Sequence, residues 1–182
     1  MLESPTTDAP LVVLRDAGPA DRVVLLDLHR RCFPTDAEAR LVADLLDASD
    51  APFSIAAETD GRLVGHVLLS TMTHEHGGSV RGLLALAPLA VAPDFRGRGI
   101  GRALVREALR QAAEHRAAAV FVLGDPTYYA PLGFTPAGPA GYQSPHGDAF
   151  QVHPVPNRPA PSPGRVDYAP AFARLADGHS TG

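Results

Sequence analysis

Glycine and arginine alternate in one short segment of the chain, Arg96-Gly97-Arg98-Gly99-Ile100-Gly101-Arg102. Three glycines within five positions let the backbone turn tightly and direct successive N–H groups towards one point. Apolar residues at helical spacing follow, so the loop ends where the unpaired N–H groups and the dipole of a helix favour an anion. The arginines add positive charge around the same point. These residues therefore predict a phosphate or pyrophosphate site.

Three classes of phosphate ligand use loops of this kind. A P-loop ends in Gly-Lys-Ser/Thr, whereas Gly101 is followed by Arg102 and Ala103, so this class is excluded. A dinucleotide fingerprint needs a small residue where the chain has Arg102, although Asp125 offers a candidate ribose-binding acid. The third class is the pyrophosphate of coenzyme A. A glycine-rich turn that only reverses the chain is the alternative without a ligand.

The elements on both sides of the loop follow from the hydrophobic pattern. Residues 83–91 form a nearly unbroken apolar run, which predicts a central strand buried on both faces. Pro88 cannot donate to a strand ladder, so we expect the strand to bulge or splay there. An amphipathic helix is predicted from the loop to about Arg116. The loop thus connects a buried strand to a helix N-terminus.

The rest of the chain adds further strands and helices to a mixed α/β order. Asp60-Gly61 separates two apolar runs and predicts a hairpin, since both residues tolerate positive φ. The other predicted elements are strands at 11–15, 53–58, 63–71, 118–123 and 150–153, helices at 19–32 and 37–48, and a short helix opened by Asp125-Pro126. We predict a flexible N-terminus at 1–10, one domain at 11–172 with a Pro-rich segment at 154–163, and a flexible tail at 173–182.

Composition excludes several classes of protein. The 182 residues carry 16 basic side chains, all arginine, against 20 acidic ones, and the isoelectric point near 6.0 argues against a general nucleic-acid binder. No lysine is available for Schiff-base chemistry. The single cysteine, Cys32, excludes an internal disulfide and a cysteine-based zinc site, and its place on an apolar stripe predicts a small core residue. No membrane-spanning run or signal peptide is visible, so we expect a cytoplasmic protein.

Two segments together resemble a known family. Leu89-Ala90-Val91-Ala92-Pro93 and the loop that follows resemble the acetyl-CoA motif of the GNAT superfamily of N-acetyltransferases, whose Gln/Arg-x-x-Gly-x-Gly/Ala pattern is filled by Arg96, Gly99 and Gly101. The segment from Tyr129 to Phe134 is similar to the Tyr-x-x-x-Gly-Phe of that family. The resemblance implies a mixed α/β (α+β) fold with a twisted, mostly antiparallel sheet, a splayed central strand and helices on both faces.

The resemblance also implies a reaction, the transfer of an acetyl group from acetyl-CoA to an amine by direct attack in a ternary complex. A backbone N–H near Val91 would polarise the thioester carbonyl. Tyr129 matches the position of the general acid that protonates the leaving thiolate, and Tyr128 would pack or contact CoA. The strand that would bind pantetheine and the loop that would hold the pyrophosphate comprise Leu89, Ala90, Val91, Arg96, Gly97, Arg98, Gly99, Ile100, Gly101 and Arg102.

The base that takes the amine proton has no obvious place, because residues 83–91 contain no acid, where many members of the family carry a Glu. Glu75, or a neighbouring histidine of His74-Glu75-His76, is our candidate catalytic base, with Glu58 and a water relay as alternatives. The same histidines, together with His66, could suggest a metal site, but solvated loop histidines are commoner and we predict no metal.

The acceptor amine, in a small molecule or a protein, is not specified by a motif. In the family it is selected by the first two helices, here about 30–48, and by segments late in the chain. Acidic side chains in that region would attract a cationic amine or would form a solvated helix face; they are Asp36, Glu38, Asp44 and Asp47. The resemblance allows a homodimer and an acyl group longer than acetyl. The alternative function is a non-catalytic acyl-CoA-binding sensor or interaction module.

Overall fold

A computed structural model describes residues 11–74, 82–143, 147–159 and 162–174. The strands of this part are β1 (Val13–Asp16), β2 (Phe53–Thr59), β3 (Arg62–His74), β4 (Leu83–Val91), β5 (Ala119–Leu123), β6 (Thr135–Pro136), β7 (Tyr142–Gln143), β8 (Phe150–Pro154) and β9 (Gly164–Tyr168). The helices are α1 (Arg22–Cys32), α2 (Ala37–Asp47), α3 (Ile100–Glu114) and α4 (Pro126–Tyr129). None of the described helices is long and apolar enough to cross a membrane.

The strands form one mostly antiparallel sheet, as predicted. Its main order is β1-β2-β3-β4-β5-β8-β6, and β9 pairs with both β3 and β7. Only the pairs β4–β5 and β7–β9 are parallel among the described strands. The β2–β3 hairpin turns at Asp60 and Gly61, whose φ values of 48° and 69° confirm the predicted turn.

The central strand β4 separates from its neighbour β5, which is the feature that creates the site. Pairing between the two strands stops at Ala85 and Phe121, whereas β4 continues for six more residues to Val91. On its other side β4 stays paired with β3, with a register shift opposite Pro88. Pro88 offers no N–H to a ladder, which accounts for the irregularity. One edge of β4 therefore remains open beyond Ala85.

Helices cover the two faces of the sheet. The apolar stripe of α3, which includes Leu104, packs on the face that carries Val67 and Leu69. Because successive strand residues point to opposite faces, Leu68 lies on the other face, where it packs against α2. Helix α1 covers the same face, with Leu28 in contact with Ala90 of β4. The helices thus lie on both sides of the sheet, as the resemblance implied.

The main differences from the predicted elements lie late in the chain. β9 (Gly164–Tyr168) was not predicted; it lies after the Pro-rich segment and pairs with the end of β3. The strands β6 and β7 have two residues each and carry no periodicity that a sequence pattern could show. The predicted cap of α4 is confirmed, since Thr127 N–H donates to the Asp125 carboxylate at 2.8 Å.

Candidate functional site

A cavity of about 530 Å³ lies between the open edge of β4, the glycine loop and the end of α1. Of the ten residues predicted to bind the cofactor, all except Arg98 line it. The remaining lining residues are Cys32, Phe33, Phe95 and Tyr128. The loop and the open strand edge, adjacent in sequence, therefore form one continuous surface.

The glycines of the loop have two different physical roles. Gly97 and Gly99 have φ values of 74° and 81°, and a Cβ at either position would meet no atom within 4 Å. Glycine is needed there for the left-handed backbone rather than for space. Gly101 has ordinary φ, but its Cβ would lie 2.5 Å from the Tyr128 hydroxyl. The first N–H to donate within α3 belongs to Ala103, and the amides before it have no helical acceptor.

The arginines of the loop do not all face the cavity. Arg96 donates from Nε to the Val91 carbonyl at 3.0 Å and from Nη2 to the Cys32 carbonyl at 3.2 Å. Its guanidinium therefore ties the loop to β4 and to the end of α1. The Arg98 guanidinium lies 5.1 Å from the centre of the Phe95 ring, in a cation–π contact outside the cavity. Arg102 lines the cavity.

Cys32 packs against a core cluster, in line with its spacing, but it is not fully buried and also belongs to the cavity. It is half-buried, lines the cavity, and its thiol donates to the Val91 carbonyl at 3.3 Å. The helix turn that carries Cys32 packs against the end of β4, so the side chain contacts both the strand and the small core cluster of Leu28 and Ala90. Phe33, which the sequence analysis also missed, lines the cavity beside it. Neither residue belongs to a motif that could have identified it.

The two neighbouring tyrosines differ in their relation to the cavity. Tyr128 lines it, whereas Tyr129 is buried, with 9% of its surface exposed, and does not. The Tyr129 ring packs edge-on against Tyr128 and Phe134, at centroid distances of 4.9 and 5.5 Å. Burial, with a smaller contribution from Tyr128, raises the pKa of Tyr129 to about 12. Its phenol stays protonated at neutral pH and can act only as a donor.

The structure describes the side chain of one of the predicted base candidates, Glu58, and does not place it at the cavity. Glu75 and His76 lie outside the described residues. Glu58 accepts a hydrogen bond from Arg15 at 2.9 Å, in an ion pair on β2 and β1. In the described ranges no group of three His, Cys, Asp or Glu side chains could hold a metal ion.

A buried pair of histidines lies beside the cavity and was not predicted as a pair. Nε2 of His29 on α1 is 2.8 Å from Nδ1 of His66 on β3, and Nε2 of His66 is 2.9 Å from the Ser54 hydroxyl. Neither histidine has measurable exposure. Burial lowers the pKa of His29 to about 4 and, together with repulsion from His29, that of His66 to about 3. Both imidazoles are therefore neutral at neutral pH.

The acidic side chains of the first two helices divide into two groups. Asp44 and Asp47 form ion pairs with Arg174 and Arg22. Glu38 has one carboxylate oxygen that is buried without a hydrogen-bond partner in the described part of the chain. Glu38 lies in the first turn of α2, where the helix N-terminus favours a carboxylate.

Comparison with known proteins gives one consistent result. The sequence profile of the acetyltransferase (GNAT) family matches residues 23–134, a range that contains β4, the loop and the tyrosines. The chain is 36% identical over 130 residues to the uncharacterized N-acetyltransferase YjhQ of Escherichia coli K12, covering 70% of this chain and 72% of that protein.

Two crystal structures resemble the fold over most of its length. The E. coli GNAT family N-acetyltransferase YhbS in complex with CoA has a TM-score of 0.84 and 34% identity, covering 92% of this chain and 95% of that one. A GNAT family acetyltransferase from Brucella melitensis in complex with acetyl-CoA has a TM-score of 0.75 and 28% identity, covering 89% and 98%.

Proposed function

Because the chain belongs to the GNAT acetyltransferase family, we propose that it transfers an acetyl group from acetyl-CoA to an amine. The observation that carries the proposal is the open edge of β4 beyond Ala85, which leads directly to the glycine loop. A strand edge that no neighbouring strand occupies suits the amides of the pantetheine arm, and the loop suits the pyrophosphate that follows them.

The cavity supports acetyl-CoA as the co-substrate on physical grounds. The amides at the start of α3 and the Arg102 side chain would hold the pyrophosphate. Leu89, Ala90 and Val91 would pair with the pantetheine arm, and a backbone N–H of this strand would stabilise the oxyanion of the tetrahedral intermediate. Crystal structures of similar proteins with CoA and acetyl-CoA support the same ligand.

The reaction joins the amine nitrogen to the acetyl carbon and breaks the C–S bond. The departing thiolate needs a proton, and we assign its donor to Tyr129, whose raised pKa of about 12 keeps the phenol protonated. The acidic side chains of α2, which include Glu38 with its unpartnered carboxylate oxygen, favour an acceptor that carries positive charge, in a small molecule or a protein.

The first test is thermal unfolding with acetyl-CoA, with NADH and ATP as controls. At a hundredfold excess over Kd, a ligand that binds only the folded protein adds about 2.7 kcal/mol of stability. We expect a shift with acetyl-CoA alone, followed by turnover in a panel of primary amines. A shift with NADH alone would refute the assignment, and binding without turnover of any amine would favour a non-catalytic acyl-CoA sensor.

Substituting each of the two neighbouring tyrosines tests which of them is the general acid. Tyr129→Phe is expected to lower kcat and leave the Kd of acetyl-CoA unchanged, because a proton donor to the leaving group acts in the transition state. Tyr128→Phe removes a neighbouring hydroxyl that lines the cavity and is expected to retain kcat. If Tyr128→Phe lost kcat while Tyr129→Phe kept it, the acid would be Tyr128.

A further inference from the structure

The amine must lose a proton during the reaction, yet β4 carries no acidic residue to receive it. Resting on the proposed function, we propose that His29, His66 and Ser54 form a proton relay that carries this proton along the face of the sheet that α1 covers to a second cavity. His29 would accept the proton from the amine, and His66 and Ser54 would pass it on without contact with the substrate.

The hydrogen-bond chain is continuous and isolated from solvent at its centre. His66 has one ring nitrogen towards His29 and the other towards the Ser54 hydroxyl, at 2.8 and 2.9 Å. A neutral imidazole has one N–H and one lone pair, so a proton entering at one nitrogen releases the proton of the other. Because both rings are neutral when buried, a concerted shift needs no accumulated imidazolium.

The His29 end of the chain lies beside the cofactor cavity. His66 is directly opposite Ala90 in the β3–β4 ladder, and Ala90 lines that cavity. Phe33 also lines it and stacks on the His29 ring, at 5.8 Å between centroids and 3° between planes. Nδ1 of His29 is buried and has no hydrogen-bond partner in the described part of the chain. A rotation of the Phe33 side chain when the acceptor binds would bring this nitrogen into contact with the cavity.

The Ser54 end of the proton relay lies at a second cavity. Ser54 is half-buried and lines a second cavity of about 410 Å³ at the start of β2, together with Asp16, Gln111 and His115. This cavity is lined by polar side chains and is open to solvent, so a proton can be released there. The relay would thus connect two cavities that the sheet and α1 otherwise separate.

The proton balance is complete without another reactant. As the C–N bond forms and the C–S bond breaks, the amine proton passes to Nδ1 of His29, and Nε2–H of His29 passes to Nδ1 of His66. Nε2–H of His66 passes to Ser54, whose hydroxyl proton leaves to solvent. The thiolate takes its proton from Tyr129, which regains one from solvent after the products leave. In the reverse shift Ser54 takes up a proton from solvent and Nδ1 of His29 releases one to water in the emptied cofactor cavity, which restores the first arrangement.

Ser54 gives the sharpest test because it is the last group of the relay and contacts no proposed substrate. Ser54→Ala removes the hydroxyl and Ser54→Thr keeps it. We expect the single-turnover rate of acetyl transfer to fall about tenfold or more in Ser54→Ala and to recover in Ser54→Thr, with the Kd of acetyl-CoA unchanged. Ser70→Ala, which removes another buried hydroxyl from β3, is the control and is expected to keep the wild-type rate.

A proton inventory in mixtures of H₂O and D₂O separates the relay from a structural role. Several protons move together in the wild type, so we expect a curved plot that becomes linear in Ser54→Ala. His29→Gln keeps a polar group towards His66 but cannot pass a proton, and it should show the same linear plot. Wild-type rates and curvature in both variants would refute the relay alone. Absence of turnover by the wild type with every amine would refute the proposed function and the relay with it.

Discussion

Acidification is expected to destabilise the protein through the buried histidine pair. In the folded state the pKa values of His29 and His66 are about 4 and 3, whereas 6.5 is the ordinary value for an exposed histidine. The unfolded chain therefore binds protons first as the pH falls. The stability that these neutral imidazoles contribute is complete above pH 6.5, and it is lost as the pH falls towards their folded-state values.

The size of the loss follows from proton linkage. Between pH 7 and pH 5 each histidine costs about 2 kcal/mol of unfolding free energy, so the pair costs about 4 kcal/mol. This is a large fraction of the 5–15 kcal/mol that is typical of a domain. The Asp21 carboxylate, whose charge partly offsets the shift at His66, has its own pKa lowered to about 2 by Arg15. The stability that ionised Asp21 contributes is lost only below about pH 4, which is outside the range from pH 7 to pH 5.

Urea unfolding followed by far-UV circular dichroism at pH 7, 6 and 5 measures the effect. The control is the double variant His29→Gln/His66→Gln, which cannot titrate and keeps polar groups at both positions. The other histidines, including His153 with its burial-lowered pKa, are present in both proteins and cancel in the difference. A double variant that lost as much stability as the wild type between pH 7 and pH 5 would refute the neutral, buried state of the pair.

Three substitutions test the loop and the acid. Gly99→Val places a β-branched residue at a φ of 81°. We expect it to lower the free energy of unfolding by about 1–3 kcal/mol and to abolish acetyl-CoA binding in calorimetry. The control Gly138→Ala, where a Cβ meets no atom within 4 Å, should leave stability and binding unchanged. Arg96→Ala removes two hydrogen bonds to backbone carbonyls, so the KM for acetyl-CoA should rise more than kcat falls. Gly124→Ala places a Cβ 2.5 Å from the Tyr129 ring, and steady-state kinetics should show a lower kcat with little change in that KM.

Local features of the fold could be predicted from the sequence. The Asp60-Gly61 hairpin, the Asp125 cap and the glycine loop each depend on backbone conformations that a few neighbouring residues impose. The apolar run 83–91 gave the bounds of β4, because a strand buried on both faces has no polar interruption. These features are local, so no distant contact is needed to specify them.

The orientation of individual side chains could not be predicted in the same way. Successive residues of a helical turn point about 100° apart, so the motif that contains Tyr128 and Tyr129 does not say which of them faces the cavity. Arg96 fits a phosphate-binding pattern, but the carbonyls of Val91 and Cys32 hold its guanidinium instead. The tyrosine that faces the cavity and the carbonyls that bind Arg96 are both decided by how distant elements pack against each other.

The sequence by itself determined the glycine loop, the strand before it and the family to which they belong, since these depend on consecutive residues. Only the tertiary structure brought His29 and His66 together, 37 positions apart on a helix and a strand, and buried them in contact with each other. A lone histidine in a sequence is usually solvated and free to titrate. Packing of α1 on the sheet removes water from both rings, and this desolvation makes them a neutral pair.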